Sequence, residues 1–301
     1  TLPEKTIEDD LAEVMFGLAS MMIGQEVNIT ARQFLHLALM AKSEHQLARF
    51  MLGLVEEQDG NHALAMASYK KLRPGGDPYL SAQVRIGEVL FKTGKKDQAV
   101  AHMKELVRAY PDVPKLHQPL ARLYHDMKNY EKAIRHYTAL IETIDNPGRR
   151  HAPIYFARGA AHERLKNFEK AARDLEKSLE LEPNNPVVLN YLGYMWLDQG
   201  HNLENAYGYI RQAAHLRPHD GAIVDSLGWA YFKRGQFETA IRYLEKAVSL
   251  LPNDPVINMH LGDAYSKVGR QEEARTKWQR ALSLEPENPD DVQRLEKLLQ
   301  K

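Results

Sequence analysis

Three stretches decide how this chain folds: PVVLNYLGYMWLDQG at 186–200, GAIVDSLGWAYFKRG at 221–235 and PVINMHLGDAYSKVG at 255–269. Each holds a Leu-Gly pair (Leu192-Gly193, Leu227-Gly228, Leu261-Gly262), an aromatic three residues on (Trp196, Tyr231, Tyr265) and a turn glycine (Gly200, Gly235, Gly269). Downstream come an alanine (Ala206, Ala240, Ala274), a bulky apolar residue (Ile210, Leu244, Trp278), a second alanine (Ala213, Ala247, Ala281) and a closing proline (Pro218, Pro252, Pro286). The closing prolines stand 34 residues apart both times. A fixed period of this length marks stacked helical hairpins.

The chemistry of the pattern is packing. Glycine and alanine let two antiparallel helices approach closely, and the aromatic fills the space beside them. The turn glycine supplies the left-handed residue that ends the first helix. The closing proline stops the second, because it cannot donate and restricts the residue before it. Asn184, Asn185, Asn253, Asp254 and Asn288 lie beside these prolines, placed to cap the helix that follows.

Aligning backward gives seven units that start near 46, 80, 114, 152, 186, 221 and 255. One spacing is 38 residues, and the connection Asp145 to His151 accounts for it. The first unit carries Leu52-Gly53, Gly60, Ala65 and Tyr69, and the second Ile86-Gly87, Gly94, Ala99 and Met103. Ala121 takes the glycine slot of the third. The fourth has Arg158 and His162 where a leucine and an aromatic are usual, which predicts a looser joint or a docking site. Residues 1–45 read as a degenerate hairpin: Thr6 caps a helix from Ile7 to about Met22, Gly24 and Asn28 interrupt it, and a second helix covers Ile29 to Ala41. Residues 289–301 hold a helix with Val292, Leu295, Leu298 and Leu299 on one face, fit to cover the final hairpin. The fold class is all-α.

From about Gln46 onward the units resemble tetratricopeptide repeats. That resemblance implies a right-handed superhelical array of antiparallel helix hairpins whose first helices line a concave groove. The segments Leu189 to Tyr194 and Asp225 to Tyr231 are similar to those of exported bacterial repeat proteins, including the outer-membrane lipoprotein adaptor of a C-terminal processing protease. This implies an envelope adaptor, in a bacterial periplasm or associated with the outer membrane.

Composition narrows the chemistry. Lysine plus arginine and aspartate plus glutamate both number 40, so there is no basic excess to attract nucleic acid. Cysteine is absent, which excludes disulfides, thiolate metal sites and a cysteine nucleophile. No apolar run reaches membrane-spanning length. The chain begins at Thr1 without a leader pattern and reads as a processed form or a fragment. Histidines 117, 125 and 136 are close in sequence, but one helix face does not hold all three, and no ligand motif recurs, so no metal and no cofactor is expected. No catalytic constellation emerges, and the chain is expected to have no enzymatic activity.

Binding residues are read from the groove slots that the family implies. They give Asn190, Tyr194, Leu197 and Asp198 in the fifth unit, and Asp225, Trp229, Phe232 and Lys233 in the sixth, flanked by Phe156 and Met259. Two readings stand: these aromatics hold a peptide, with Asn190 and Asp225 bonding its backbone, or Tyr194 and Trp229 pack between adjacent first helices. Arg122, Arg164, Arg149 and Arg150 are candidates for acidic partners. A chaperone-type carboxylate clamp is excluded, because its slots hold Leu54, Val84 and Glu88. Partners are other proteins or peptides, self-association through the N-terminal hairpin or final helix being one form. The expected function is a protein–protein scaffold or adaptor; the alternative is the regulatory portion of a larger enzyme.

Overall fold

The computed structural model describes residues 6–23 and 28–300. Their helices fall into two compact units that divide between Asp145 and Asn146, within the long connection. In the first unit, α1 (Ile7–Ile23) and α2 (Asn28–Ala41) form a hairpin, followed by α3 (Gln46–Gln58) with α4 (His62–Lys70). Then come α5 (Asp77–Lys92) with α6 (Lys96–Ala109), a 3-10 turn at Pro114–Leu116, and α7 (His117–Asp126) with α8 (Tyr130–Ile141). The second unit pairs α9 (Ala152–Arg164) with α10 (Phe168–Leu181) and α11 (Pro186–Asp198) with α12 (Leu203–Leu216). It continues with α13 (Gly221–Lys233) and α14 (Phe237–Leu250), α15 (Pro255–Lys267) and α16 (Gln271–Ser283), and ends on α17 (Pro289–Leu299), packed on α16. Among the described residues there is no strand, and no helix is long and apolar enough to cross a membrane.

The Leu-Gly pairs act as steric gauges. Leu192, Leu227 and Leu261 are buried, and each neighbouring glycine lies against the second helix of its own hairpin. A Cβ on Gly193 would come 2.8 Å from the Ala206 carbonyl oxygen and from Ile210. One on Gly228 would meet Leu244 at 2.7 Å, and one on Gly262 would meet Trp278 at 2.5 Å. The buried alanines Ala206, Ala240 and Ala274 complete these contacts. Trp196 and Trp278 are core residues, as their slots predict.

Both ends of each hairpin follow from local chemistry. Gly60, Gly94, Gly200, Gly235 and Gly269 take the left-handed conformation after their first helices. Lys128 and Lys166 adopt it in the two hairpins that lack the glycine, at a cost of about 1 kcal/mol for a residue with a Cβ. Before four closing prolines the chain takes one nearly constant corner: φ/ψ −129/64 at Tyr110, −142/79 at Glu182, −132/72 at Arg217 and −132/71 at Leu251.

Capping is mostly as expected. Thr6 and Asp9 form a reciprocal cap on α1, while Asn185, Asp254 and Asn288 accept from the first amides of α11, α15 and α17. Asn184 and Asn253 depart from expectation. Their side-chain oxygens accept from Gln212 and Arg280 instead, tying each connection to the second helix of the next hairpin. Gly24, expected to break the first hairpin, lies outside the described residues, and Asn28 opens α2 rather than preceding it. The second repeat unit starts earlier than residue 80, at Asp77, because Pro78 sits in the first turn of α5, where its missing N–H costs nothing.

The fourth hairpin is not loose at Arg158. That guanidinium makes two 2.7 Å hydrogen bonds to the two oxygens of Asp174, a carboxylate 9% exposed, and clamps α9 to α10. Removing one partner of such a pair strands the other charge, whereas replacing both with apolar residues is near neutral or better. Arg158→Leu should therefore lower stability by about 3 kcal/mol, and Arg158→Leu/Asp174→Leu should recover most of it, as read by urea unfolding. By the gauge argument, Gly228→Leu should lower the melting temperature by several degrees, at a cost of about 1–3 kcal/mol or more.

Candidate functional site

A cavity of about 500 Å³ opens along one face of the second unit. It is lined by Glu163 and Arg164 of α9, Asn190, Tyr191, Tyr194 and Met195 of α11, Ala222, Asp225 and Ser226 of α13, and Asp254, Val256 and Ile257 of α15. These are all first helices of successive hairpins, or their N-caps. The period explains the convergence: Asn190 and Asp225 are 35 residues apart, so stacking hairpins sets equivalent slots side by side. Asn190 and Tyr194 stand one turn apart on α11 and share its face.

The cavity's polar groups differ in how far they are committed. Tyr191 donates to Glu163 at 2.9 Å and links α11 to α9. Asp254 is occupied as the cap of α15. Asn190 Oδ1 is shielded from solvent and has no hydrogen-bond partner among the described residues. Burial raises the Tyr194 phenol well above its ordinary value, helped by the carboxylates of Asp225, Asp198 and Asp291, so the hydroxyl remains a donor at any physiological pH. A fixed donor and an unpaired acceptor at adjacent positions match the two faces of a peptide amide.

Behind the cavity wall lies a buried ion pair. Both Asp225 oxygens lie 3.0 Å from His260 Nδ1. The His260 ring stacks on Trp229 at 4.0 Å, and Trp229 stacks on Phe232 at 4.5 Å. Burial alone would push the imidazole down; attraction and hydrogen bonding to Asp225, with a further pull from Asp263, outweigh it and raise its pKa. The Trp229 indole covers one face of that ring, an arrangement that favours its protonated form.

The groove residues named from sequence thus divide. Asn190, Tyr194 and Asp225 line the cavity. Trp229 and Phe232 form the stack that backs His260, which is the packing arrangement between first helices. Leu197 and Met259 are core residues, 4% and 7% exposed; Met259 packs with Leu244 and Leu261 although it shares the repeat slot of Asn190 and Asp225, so its neighbours rather than its slot bury it. Phe156 packs edge to face on Tyr191 at 5.4 Å and supports the lining from behind. Among the arginines, Arg164 lines the cavity, Arg149 makes two hydrogen bonds to Glu182, and Arg150 donates to His151. Arg122, in the first unit, pairs with Glu88, which also holds Arg85. Arg149 and Arg164 bracket α9, roughly 20 Å apart at 1.5 Å per residue, so they form no single patch.

Sequence reading passed over Tyr191, Ser226 and His260. They share one slot, a single position beyond Asn190, Asp225 and Met259, and the repeat spacing alone could have flagged them. His117 and His136 do meet, with Nδ1 atoms 2.9 Å apart, while His125 turns toward Tyr130. Among the described residues no three histidine or carboxylate groups cluster at metal-ligand distance.

Hairpins of constant period, gauged by glycine and closed by proline, define a tetratricopeptide-repeat protein. More particularly, the family described as the Cilia and flagella-associated protein 70 C-terminal domain matches residues 30–298, and the chain belongs to it. It is 30% identical over 198 residues to the TPR repeat-containing protein PA4667 of Pseudomonas aeruginosa, across 64% of this chain and 32% of that protein. The chain spans about a third or less of the curated relatives it first matches. Two solved structures share the fold. The Cut9–Hcn1 hetero-tetramer of the APC/C aligns with a TM-score of 0.66 at 17% identity, over 97% of this chain and 58% of that one. A tetratricopeptide repeat protein from Parabacteroides merdae aligns with a TM-score of 0.58 at 16% identity, over 97% of this chain and all of that one.

The ion pair carries a pH signature. A group whose folded pKa is raised stabilises the fold fully below its unfolded value, here 6.5, and that contribution is lost as pH climbs through the folded value. Asp225→Asn removes the partner. The melting-temperature gap between the native chain and Asp225→Asn should therefore be widest at or below pH 6.5 and narrow as the pH rises.

Proposed function

We propose that this chain is a non-catalytic scaffold that captures an extended polypeptide along α9, α11, α13 and α15. One observation carries the reading: the shielded, unpaired Asn190 Oδ1 beside the protonated Tyr194 hydroxyl, inside a cavity large enough for several side chains. An orphaned buried acceptor is costly, and a bound peptide N–H would relieve it. Tyr191, Met195, Val256 and Ile257 supply apolar contact around that bond. Arg164, 61% exposed at the rim, lies 3.7 Å from the Glu163 carboxylate and would exchange that loose pairing for an acidic residue of the guest.

A narrower form of the reading is an envelope adaptor that hands substrates to a protease, in a bacterial periplasm or at the outer membrane. It rests on the likeness of Leu189 to Tyr194 and Asp225 to Tyr231 to exported repeat proteins, and cell fractionation of the source organism tests it. Recovery of the native protein in the cytosol alone would end it.

The broader reading is tested by selecting a random displayed peptide library on the chain and measuring selected peptides by fluorescence anisotropy. Asn190→Ala/Tyr194→Ala should weaken binding by about 2–3 kcal/mol, the range for interface anchors, while circular dichroism melting stays within a degree or two. Trp229→Ala serves as the contrast, since the stack on His260 predicts a lower melting temperature for it. Peptides that bind the double variant as tightly as the native chain would overturn the assignment of the groove.

A further inference from the structure

The groove of the second unit carries more negative charge than its own side chains balance. Among the described residues that line the cavity, Glu163, Asp225 and Asp254 are carboxylates, and Arg164 is the one arginine or lysine. These three acids are committed. Glu163 accepts from Tyr191 and lies beside Arg164, Asp225 holds His260, and Asp254 caps α15.

Two further carboxylates overlook the same space. Asp198 stands one turn beyond Tyr194 on α11 and shares its face. Asp291 lies in the first turn of α17, one turn before Arg294, whose 2.6 Å bond to Asp263 sets that face of the helix towards α15. Asp198 is exposed and Asp291 half-buried, and both act on the Tyr194 hydroxyl together with Asp225. Helices α11, α13 and α17 thus turn charge towards one place. Neither Asp198 nor Asp291 makes a side-chain hydrogen bond or ion pair among the described residues. The basic groups beside them are spent elsewhere. Lys233, in the slot of α13 equivalent to Asp198, lies over the Trp229 ring at 5.2 Å, and Arg294 is held by Asp263.

Asn190 Oδ1 adds an observation of another kind. It is a neutral acceptor, shielded from water and without a donor, so it calls for a ligand whatever the surrounding charge. We propose that the polypeptide captured here is basic: its backbone N–H meets Asn190, and a lysine or arginine side chain pairs with Asp198 and Asp291. This guest chemistry rests on the groove being the site of peptide capture. Ammonium and guanidinium groups are rich in donors and carry no acceptor, which suits a place where carboxylates stand open. A cleft of one sign also concentrates the opposite charge before contact. Geometry sets the register. Asp198 follows Asn190 by eight residues, about 12 Å along the helix, so the basic residue falls within about four residues of the anchoring amide in an extended guest.

The probes are peptides selected on the native chain from a random displayed library and read by fluorescence anisotropy. Selection should enrich lysine and arginine over the starting library. Replacing the enriched residue by its uncharged analogue, norleucine for lysine or citrulline for arginine, should weaken binding about fivefold. Asp198→Asn/Asp291→Asn should cost the native peptide a similar factor and cost the uncharged peptide almost nothing, the mark of a direct pair in a double-mutant cycle. Added salt should weaken the native pair more than the double variant. Circular dichroism melting should stay within a degree or two, since neither aspartate has a bonded partner to lose. Glu176→Gln/Glu238→Gln removes the same charge from the second helices α10 and α14 and should leave binding unchanged. Peptides that need Asn190 and Tyr194 yet bind equally well without their basic residue would overturn the proposal and leave capture standing. Equal losses from the Glu176/Glu238 variant, or losses that simply add in the cycle, would overturn it as well. A library that yields no binder ends both readings.

Discussion

Everything in the second unit depends on how closely the two helices of a hairpin can approach. At Gly193, Gly228 and Gly262 a backbone with no side chain lies against Ile210, Leu244 and Trp278, with no room for even one added carbon. Packing at that distance brings many weak dispersion contacts into range at once, and those contacts are collectively large. It also fixes what the other face of the first helix can do. Since the core side is committed to the gauge, the residues that project away from it are carried side by side at the repeat interval. The cavity between Asn190, Tyr194 and Asp225 is therefore a by-product of packing that has been furnished with polar groups.

Those polar groups are not equivalent, and their differences come from burial. Asp225 and Asp254 line the same cavity, yet one is neutralised from behind by His260 and the other is spent on two backbone amides. Asn190 has neither kind of support. The wall thus combines satisfied groups that hold its shape with one amide oxygen left unsatisfied, and such an oxygen gains most from an incoming donor. In the fourth hairpin the same economy runs differently: Arg158 and Asp174 fill a slot built for leucine, and specificity of packing there comes from a paired charge rather than from shape.

Much of this was legible in the chain itself. The 34-residue period, the closing prolines and the Leu-Gly pairs locate the helices because each rests on a steric rule that acts within a few residues. Capping was legible for the same reason at Asn185 and Asp254, and failed at Asn184 and Asn253, where a long-range donor on the next hairpin competes for the side chain. The candidate site was half legible. Slot arithmetic found Asn190, Tyr194 and Asp225, but it could not tell that Leu197 and Met259 lie in the core, since burial depends on the neighbouring residues rather than on the slot. Nor could it pair Asp225 with His260, because partners 35 residues apart announce themselves only once the hairpins are stacked.

The corner before Pro183, Pro218 and Pro252 has an effect beyond ending a helix. Glu182, Arg217 and Leu251 differ in charge and size, yet their backbones agree to about ten degrees. The turn from one hairpin to the next in the second unit is set there by the ring that follows, through a restriction on the backbone that any side chain can satisfy. Pitch is thereby uncoupled from surface chemistry. Groove-face residues that make no inter-hairpin contact can change, and a lineage could alter what it grips without bending the rack that holds the grip in place.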